Sequence, residues 1–395
     1  MATSTSGTNC SGAFRDRSGS SRDVSVPEQL MHGASSGLAL WPRRRAREKH
    51  PTISETCSDT SLRILETVSE FEELRSAWSA WSDNPEADLD FFSIHLRHTQ
   101  GVVRPHVIVV YRNGRPDCML VGWLYEGSVA FRVGSFVLFQ SHARILRFVN
   151  GGSLGNQSRR NSEFLLLEIT RSLRHHEAQA VEFSQLRVDS PLYDLASRQP
   201  NVFCREHFPP VQAHHYLTLP ASFDEFLCTL SGRSRHQYRR HARMLIRDFP
   251  GKIRFQSVRS ERDVEDFARR AETISRKTYK RALATGFINS PEMRETLHAA
   301  AQKAALRACV LYIDEQPIAF ASGILSNKKL YGTFTAYDPE FKKYSPGLQA
   351  LMWLIEESFE RITFERFDGR QDGRRQRQMA QLRRLRQAKV SIVHP

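Results

Sequence analysis

Three apolar runs of strand length, RACVLYI (307–313), PIAFASGIL (317–325) and KLYGTFTAY (329–337), follow one another with three residues between neighbours. Connections that short cannot carry the crossover a parallel pair needs, so the three strands run antiparallel. SPGLQALMWLIEESFER (345–361) follows, with Leu348, Leu351, Met352, Ile355 and Phe359 on one helical stripe, and then a last strand, ITFERFD (362–368). A meander closed by a helix and a further strand requires an α/β chain with a mixed, mostly antiparallel sheet flanked by helices.

Upstream elements fit the same class. HYLTLP reads as a strand, and SFDEFLCTL as a helix with Ser222 and Glu225 in capping-box spacing. KIRFQSV (252–258) is a strand. SERDVEDFARRAETISRKTYK (260–280) places Val264, Phe267, Ala268, Ala271, Ile274 and Thr278 on one face. SPEMRETLHAAAQKAAL (290–306) is a helix with Pro291 in its first turn. An earlier series begins near Leu62. It has a helix over 69–81 with Ser69 as cap, a hairpin around RNGRP, a strand at 143–150, a glycine turn leading into an amphipathic helix, and a strand at 180–186.

The chain has 395 residues, 40% hydrophobic and 25% charged, enough for a sizeable core and for two domains. Residues 1–60, rich in Ser, Thr and Gly, are expected to be a disordered tail. No apolar run reaches the ~18 residues of a membrane span, and no apolar h-region opens the sequence. Six cysteines without CxxC spacing suit a reducing cytoplasm, and the pairs His175-His176 and His214-His215 lack a metal-ligand pattern, so no metal is expected.

Charge is concentrated. Residues 231–247 carry six arginines and no acid, and 366–395 carry +7, so these two segments hold nearly all of the formal +14. On a helix, Tyr238, Ala242, Leu245, Ile246 and Phe249 of the first segment gather on one side. Arg233, Arg240, Arg243 and Arg247 gather on the other, with Arg239 on the flank. This is a core-docked helix with a cationic stripe. It reads as a solvated face or as an anion site formed by Arg233, Arg239, Arg240 and Arg243, because guanidinium matches phosphate and carboxylate bidentately. No recognised nucleic-acid motif accompanies it.

Two further groups can carry chemistry. The strand 329–337 alternates Leu330, Gly332, Phe334 and Ala336 with Tyr331, Thr333, Thr335 and Tyr337, so period two puts four hydroxyls on one face. Small residues Ala319, Ala321 and Gly323 on the neighbouring strand allow close approach. In YDPEFKKYSPGLQAL, Pro346 and Gly347 open a helix whose free N–H groups, beside Lys342 and Lys343, suit a pyrophosphate.

The series helix, helix, three antiparallel strands, helix, strand resembles the GNAT acetyltransferase fold. SFDEFLCTLSGRSRHQYRRHARML, DEQPIAFASGIL, YGTFTAYDPEFKKYSPGLQALMWLIEESFE and the following FD resemble the CelD-like acyltransferases. These are bacterial proteins associated with cellulose or exopolysaccharide synthesis and are similar to Fem-type aminoacyl transferases. The resemblance spans about 62–368. It implies tandem GNAT-like halves: a degenerate one at 61–215 and an acyltransferase domain at 216–368.

It also implies transfer of an acyl group from acetyl-CoA or another acyl-CoA to an amine or hydroxyl of a small molecule or saccharide. Lys343, Tyr344, Ser345, Gly347 and Leu348 would grip the donor pyrophosphate, mainly through backbone amides. Tyr337 and Tyr331 are the candidate acids, and Asp338 is the carboxylate nearest the strand end, where YDP also suits a turn. The usual pattern has a second glycine that this chain lacks. FDGRQDGRRQRQ also departs from the family, so 369–395 reads as a basic tail replacing the usual last hairpin, leaving the acceptor side open and the activity impaired. Two other readings stay open: a Fem-like transferase using charged tRNA docked on the basic tail, and a non-catalytic polyanion-binding remnant.

Overall fold

The computed structural model describes residues 60–133, 136–199, 211–217, 220–283, 285–327, 329–359, 366–369 and 383–393. The tail read over 1–60 lies outside them apart from Thr60, and so does 370–382 of the basic tail. The described residues fall within one compact unit, Thr56–Pro395.

β1 (Thr60–Leu65) leads into three short pieces where one helix is expected: α1 (Val68–Phe71), a 3₁₀ turn (Glu72–Leu74) and α2 (Arg75–Trp81). The apolar spacing still serves its purpose, since Phe71, Leu74 and Trp78 are buried. The start moves by two residues because the Glu70 carboxylate accepts from the N–H groups of Glu66 and Thr67 (2.9 and 3.0 Å), making Thr67 the cap instead of Ser69. α3 (Leu89–His98) stands where no element is expected. Its Asp88 cap accepts from the Asp90 and Phe91 amides.

β2 (Val102–Pro105), β3 (Val107–Arg112), β4 (Arg115–Val133) and β5 (Phe136–Gly155) follow. Asn113 and Gly114, at φ 52° and 69°, make the tight β3–β4 turn that RNGRP signals. α4 (Arg159–Arg174), β6 (Ala180–Arg187) and α5 (Pro191–Arg198) complete this half.

After β7 (Val211–Leu217) come α6 (Phe223–Thr229), α7 (Gly232–Asp248), β8 (Ile253–Val258), α8 (Glu261–Arg276), α9 (Tyr279–Ala282) and α10 (Pro291–Gln302). The meander is β9 (Leu306–Ile313), β10 (Gln316–Ser326) and β11 (Lys329–Tyr337). α11 (Pro346–Phe359), β12 (Arg366–Gly369) and β13 (Arg383–Val393) close the chain.

The thirteen strands form one sheet in the order β1-β3-β4-β5-β6-β13-β7-β12-β11-β10-β9-β8, with β2 on β4. Read inward from either edge, the halves repeat each other. Four strands pair antiparallel, and the fifth returns parallel after a helix, β6 against β5 and β12 against β11. The repeat makes the chain two similar halves, each a mixed sheet flanked by helices.

β13 places a strand at Arg383–Val393, within the segment expected to be a basic tail. It pairs antiparallel with both β6 and β7. Each half-sheet would otherwise end in an exposed row of N–H and C=O groups, and a β-capable run such as AKVSIV fills that place despite the surrounding arginines.

Both faces of the C-terminal half are covered. α8 and α10 bury Val264, Phe267, Ala271, Ile274 and Leu297 against Phe320 and Ala336, joined by Phe91 and Ile94 of α3. On the opposite face α7 and α11 bury Leu245, Ala350 and Leu354 against Cys309, Leu311 and Ala319.

Candidate functional site

β11 and β12 pair only over Lys329–Gly332 and Arg366–Gly369. Among the described residues no strand takes up that edge of β11 from Thr333 to Tyr337, and the described pairing with β12 ends at Gly332 and Gly369. A β-bulge sits at the same level in the β10–β11 pair. Ser322 faces Phe334 and Gly323 faces Gly332, leaving Thr333 as the extra residue.

The bulge overturns the expectation of four hydroxyls on one face. An extra residue reverses the alternation, so Thr335 and Tyr337 share a face with Ala321 and Ala319, whereas Tyr331 lies opposite Ile324 on the other face. There the Tyr331 hydroxyl donates to the Asp83 carbonyl, and Lys329 pairs with the Asp83 carboxylate. Tyr331 therefore ties the two halves together and stands away from Tyr337.

The turn after β11 is built by Asp338, which is 1% exposed. Its N–H donates to the Ile318 carbonyl at 2.7 Å, and one carboxylate oxygen accepts from the Glu340 amide at 3.2 Å. The other accepts from Lys277 Nζ at 2.6 Å, a bond that raises the Lys277 pKa above its usual 10.5. A carboxylate so engaged holds the turn and is poorly placed to take a proton from an acceptor. Ser345 then adopts a left-handed conformation (φ 50°, ψ 49°) and α11 begins.

Of the five residues expected to grip a pyrophosphate, two have their amides engaged within the turn. Ser345 donates to the Lys342 carbonyl at 3.1 Å, and Leu348 to the Ser345 carbonyl at 2.9 Å. Tyr344 is buried, with its hydroxyl on Asp248 Oδ2 at 2.9 Å. Lys343 is exposed, 3.6 Å from the same carboxylate and 4.6 Å from the Tyr344 ring centroid. Gly347 makes the closest approach. A Cβ there would lie 3.1 Å from Tyr337 Cδ1 and 3.5 Å from Thr335 Cγ2, so α11 begins directly over the open half of β11.

α7 lies along this turn. The Tyr238 carbonyl accepts from Gln349 Nε2 at 3.4 Å, Leu245 packs in one cluster with Tyr344, and Asp248 bonds Tyr344. The contact face is rotated from the expected one, since Ile246 is 62% exposed. At about 100° per residue, Tyr238, His241, Leu245 and Asp248 fall within about 80° of one another, on the side facing residues 344–349. His241 is thus a residue of this site that counting arginines passes over. The i, i+3, i+7, i+10 spacing is the signal that marks it. Its Nδ1 is buried and has no hydrogen-bond partner among the described residues. Burial, and then the charge of Arg240, lower its pKa.

Arg233, Arg235, Arg239, Arg240 and Arg243 have no carboxylate partner among the described residues, whereas Arg247 pairs with Asp248 at 2.8 Å. α8 differs, with Arg269, Arg270 and Arg276 each paired to Asp266 or Glu272 of the same helix. The α7 stripe is uncompensated positive charge.

Residues 232–369 match the acetyltransferase (GNAT) domain family. The matched segment begins at α7 and ends at β12, so it contains the whole site just described. The structure called FemX shares the fold over 84% of this chain and 97% of its own, at 10% identity and a TM-score of 0.56. A tandem GNAT protein from the clavulanic acid biosynthesis pathway is similar over 85% of this chain and 99% of its own, at 12% identity and a TM-score of 0.48. No curated protein matches the chain. Among the described residues no helix is long and apolar enough to cross a membrane, and no three His, Cys, Asp or Glu side chains gather as a metal site.

Asp338→Asn separates anchoring from proton transfer. The substitution is expected to cost about 1–2 kcal/mol, below the range for fully buried pairs because Lys277 is 45% exposed and regains water. The Lys277 pKa is raised on folding, so the pair's contribution is full below about 10.5 and is lost as pH rises through the folded value. The wild-type stability curve should therefore fall on the alkaline side and the variant curve should be flatter there. A variant as stable as the wild type at pH 7 would refute the anchoring role.

Proposed function

We propose that the chain transfers an acyl group from an acyl-CoA to an amine or hydroxyl of a small molecule or saccharide. The observation that carries this reading is the β11 bulge at Thr333, after which no described strand pairs on the β12 side, with α11 opening over that stretch of β11 at Gly347. The edge of β11 from Thr333 to Ala336, which no described strand takes up, suits an amide-rich pantetheine arm laid in as an extra strand. The diphosphate then falls at the start of α11, near exposed Lys342 and Lys343.

The donor supplies a thioester. A bond forms between acceptor nitrogen or oxygen and the acyl carbon, the carbon–sulfur bond breaks, the sulfur leaves with the electron pair, and the acceptor's proton passes to water. In this reading Tyr337, whose ring lies beside Gly347, protonates that sulfur.

A second reading has one specific observation in its favour. The uncompensated arginines from Arg233 to Arg243 span about 15 Å of helix, a length that suits the backbone of a charged tRNA as donor.

Titration of the full chain with acetyl-CoA, longer acyl-CoAs and aminoacyl-tRNA tests the choice. Saturable acetyl-CoA binding that free CoA displaces is the expected result. Aminoacyl-tRNA binding with no CoA binding, and a log–log salt slope steeper than about −3, would sink it.

A further inference from the structure

We propose that α7, through Arg240 and His241, supplies side-chain donors to the donor diphosphate in place of backbone amides that the turn has engaged. This rests on the acyl-CoA reading above and assigns that site two residues outside its strand–turn–helix element.

The turn is short of donors. Between Ser345 and Gln349, Pro346 has no N–H, and Ser345, Leu348 and Gln349 all donate to carbonyls of the turn itself. Gly347 is left as the one amide of this stretch with no such partner among the described residues. Gln349, where a second glycine would otherwise widen the opening, is buried and its side chain bonds the Tyr238 carbonyl. A diphosphate carries more acceptor sites than a single N–H can satisfy.

The missing donors are on the element packed against the turn. Tyr238 and Asp248 touch residues 349 and 344, which fixes α7 along the turn for about 15 Å. His241 lies between those two contacts on the same face, with a ring nitrogen that has no partner among the described residues. Arg240 is exposed, about 100° around the helix from His241, so only its long side chain would reach back toward the turn, and it too has no carboxylate partner among the described residues. Lys343 is less available because Asp248 already draws it to 3.6 Å. A guanidinium and an imidazole on one helix can meet two phosphate groups from the side, as amides do from below.

The test is titration of the full chain with CoA, 3′-dephospho-CoA and pantetheine, in wild type, Arg240→Gln, His241→Gln and, as a distant control of equal charge change, Arg262→Gln. Arg240 is exposed, so its variant should fold, and thermal unfolding checks each protein. Arg240→Gln and His241→Gln are each expected to weaken CoA and 3′-dephospho-CoA by about tenfold. Pantetheine binding and the Arg262→Gln control should be unchanged. Wild-type CoA affinity in both variants overturns the inference and leaves the acyl-CoA reading standing. So does an equal loss for pantetheine, which would mark a packing effect, or a loss for CoA alone, which would mark a 3′-phosphate contact. Absence of CoA binding by the wild type overturns both, and weakened tRNA binding in the variants would then assign these cations to nucleic acid.

Discussion

Phe320→Ala is expected to destabilise the chain by about 3–5 kcal/mol. Phe320 is fully buried on β10, with ring centroids 5.9 Å from Phe267 and 5.8 Å from Phe287, both edge-to-face. Phe287 in turn meets Phe334 of β11 at 5.5 Å. The cluster therefore joins α8, the segment before α10, and the two strands that form the site. Truncation leaves a cavity that the three remaining rigid rings cannot collapse into, which places the cost at the upper part of the range. That is a large fraction of the roughly 5–15 kcal/mol by which domains are stable. Urea unfolding of the full chain measures it, with Phe320→Leu as the milder comparison. A loss under about 1 kcal/mol would mean that the aromatic cluster is not the keystone of this half.

The parts of the chain that could be read in advance are those where periodicity and neighbours agree. Val264, Phe267, Ala268, Ala271 and Ile274 are all buried on α8, as the 3.6-residue spacing requires, and Pro291 begins α10. Ser222 accepts from the Glu225 amide at 3.2 Å, as its capping spacing implies. The failures have physical causes. One extra residue at Thr333 reverses the face of everything before it on β11, and nothing in KLYGTFTAY marks a bulge, because Gly332 also fits an ordinary strand. α7 is rotated from its expected face because Ile246, apolar by type, has no core above it, whereas His241 and Asp248 have the turn beside them. β13 was hidden by charge. What places it is the need of two half-sheet edges for a partner, a long-range demand that local composition does not carry.

Gly323→Ala is the substitution with the largest expected effect on the site itself. A Cβ at Gly323 would lie 2.8 Å from the Tyr331 carbonyl oxygen and 2.9 Å from Leu330 Cδ1. The leucine can turn aside, but the oxygen is backbone and moves only if β10 and β11 separate at the bulge. The expected loss is about 1–3 kcal/mol, the usual range for overpacking. Because the displaced stretch carries Tyr331 and Lys329, their contacts to Asp83 should weaken with it. The stretch Thr333–Tyr337 follows the same bulge, so under the proposed acyl-CoA function CoA affinity should fall by at least tenfold. Gly347→Ala gives the calibration. Its nearest neighbour, 3.1 Å away, is an atom of the Tyr337 ring that can yield by a few tenths of an ångström, so CoA affinity should change only a few-fold. If the two variants bind CoA equally, the bulge does not set the geometry of the cleft. If Gly323→Ala alone loses affinity, the bulge between β10 and β11 sets the position of Thr333–Tyr337, with the proposed donor fitted to it.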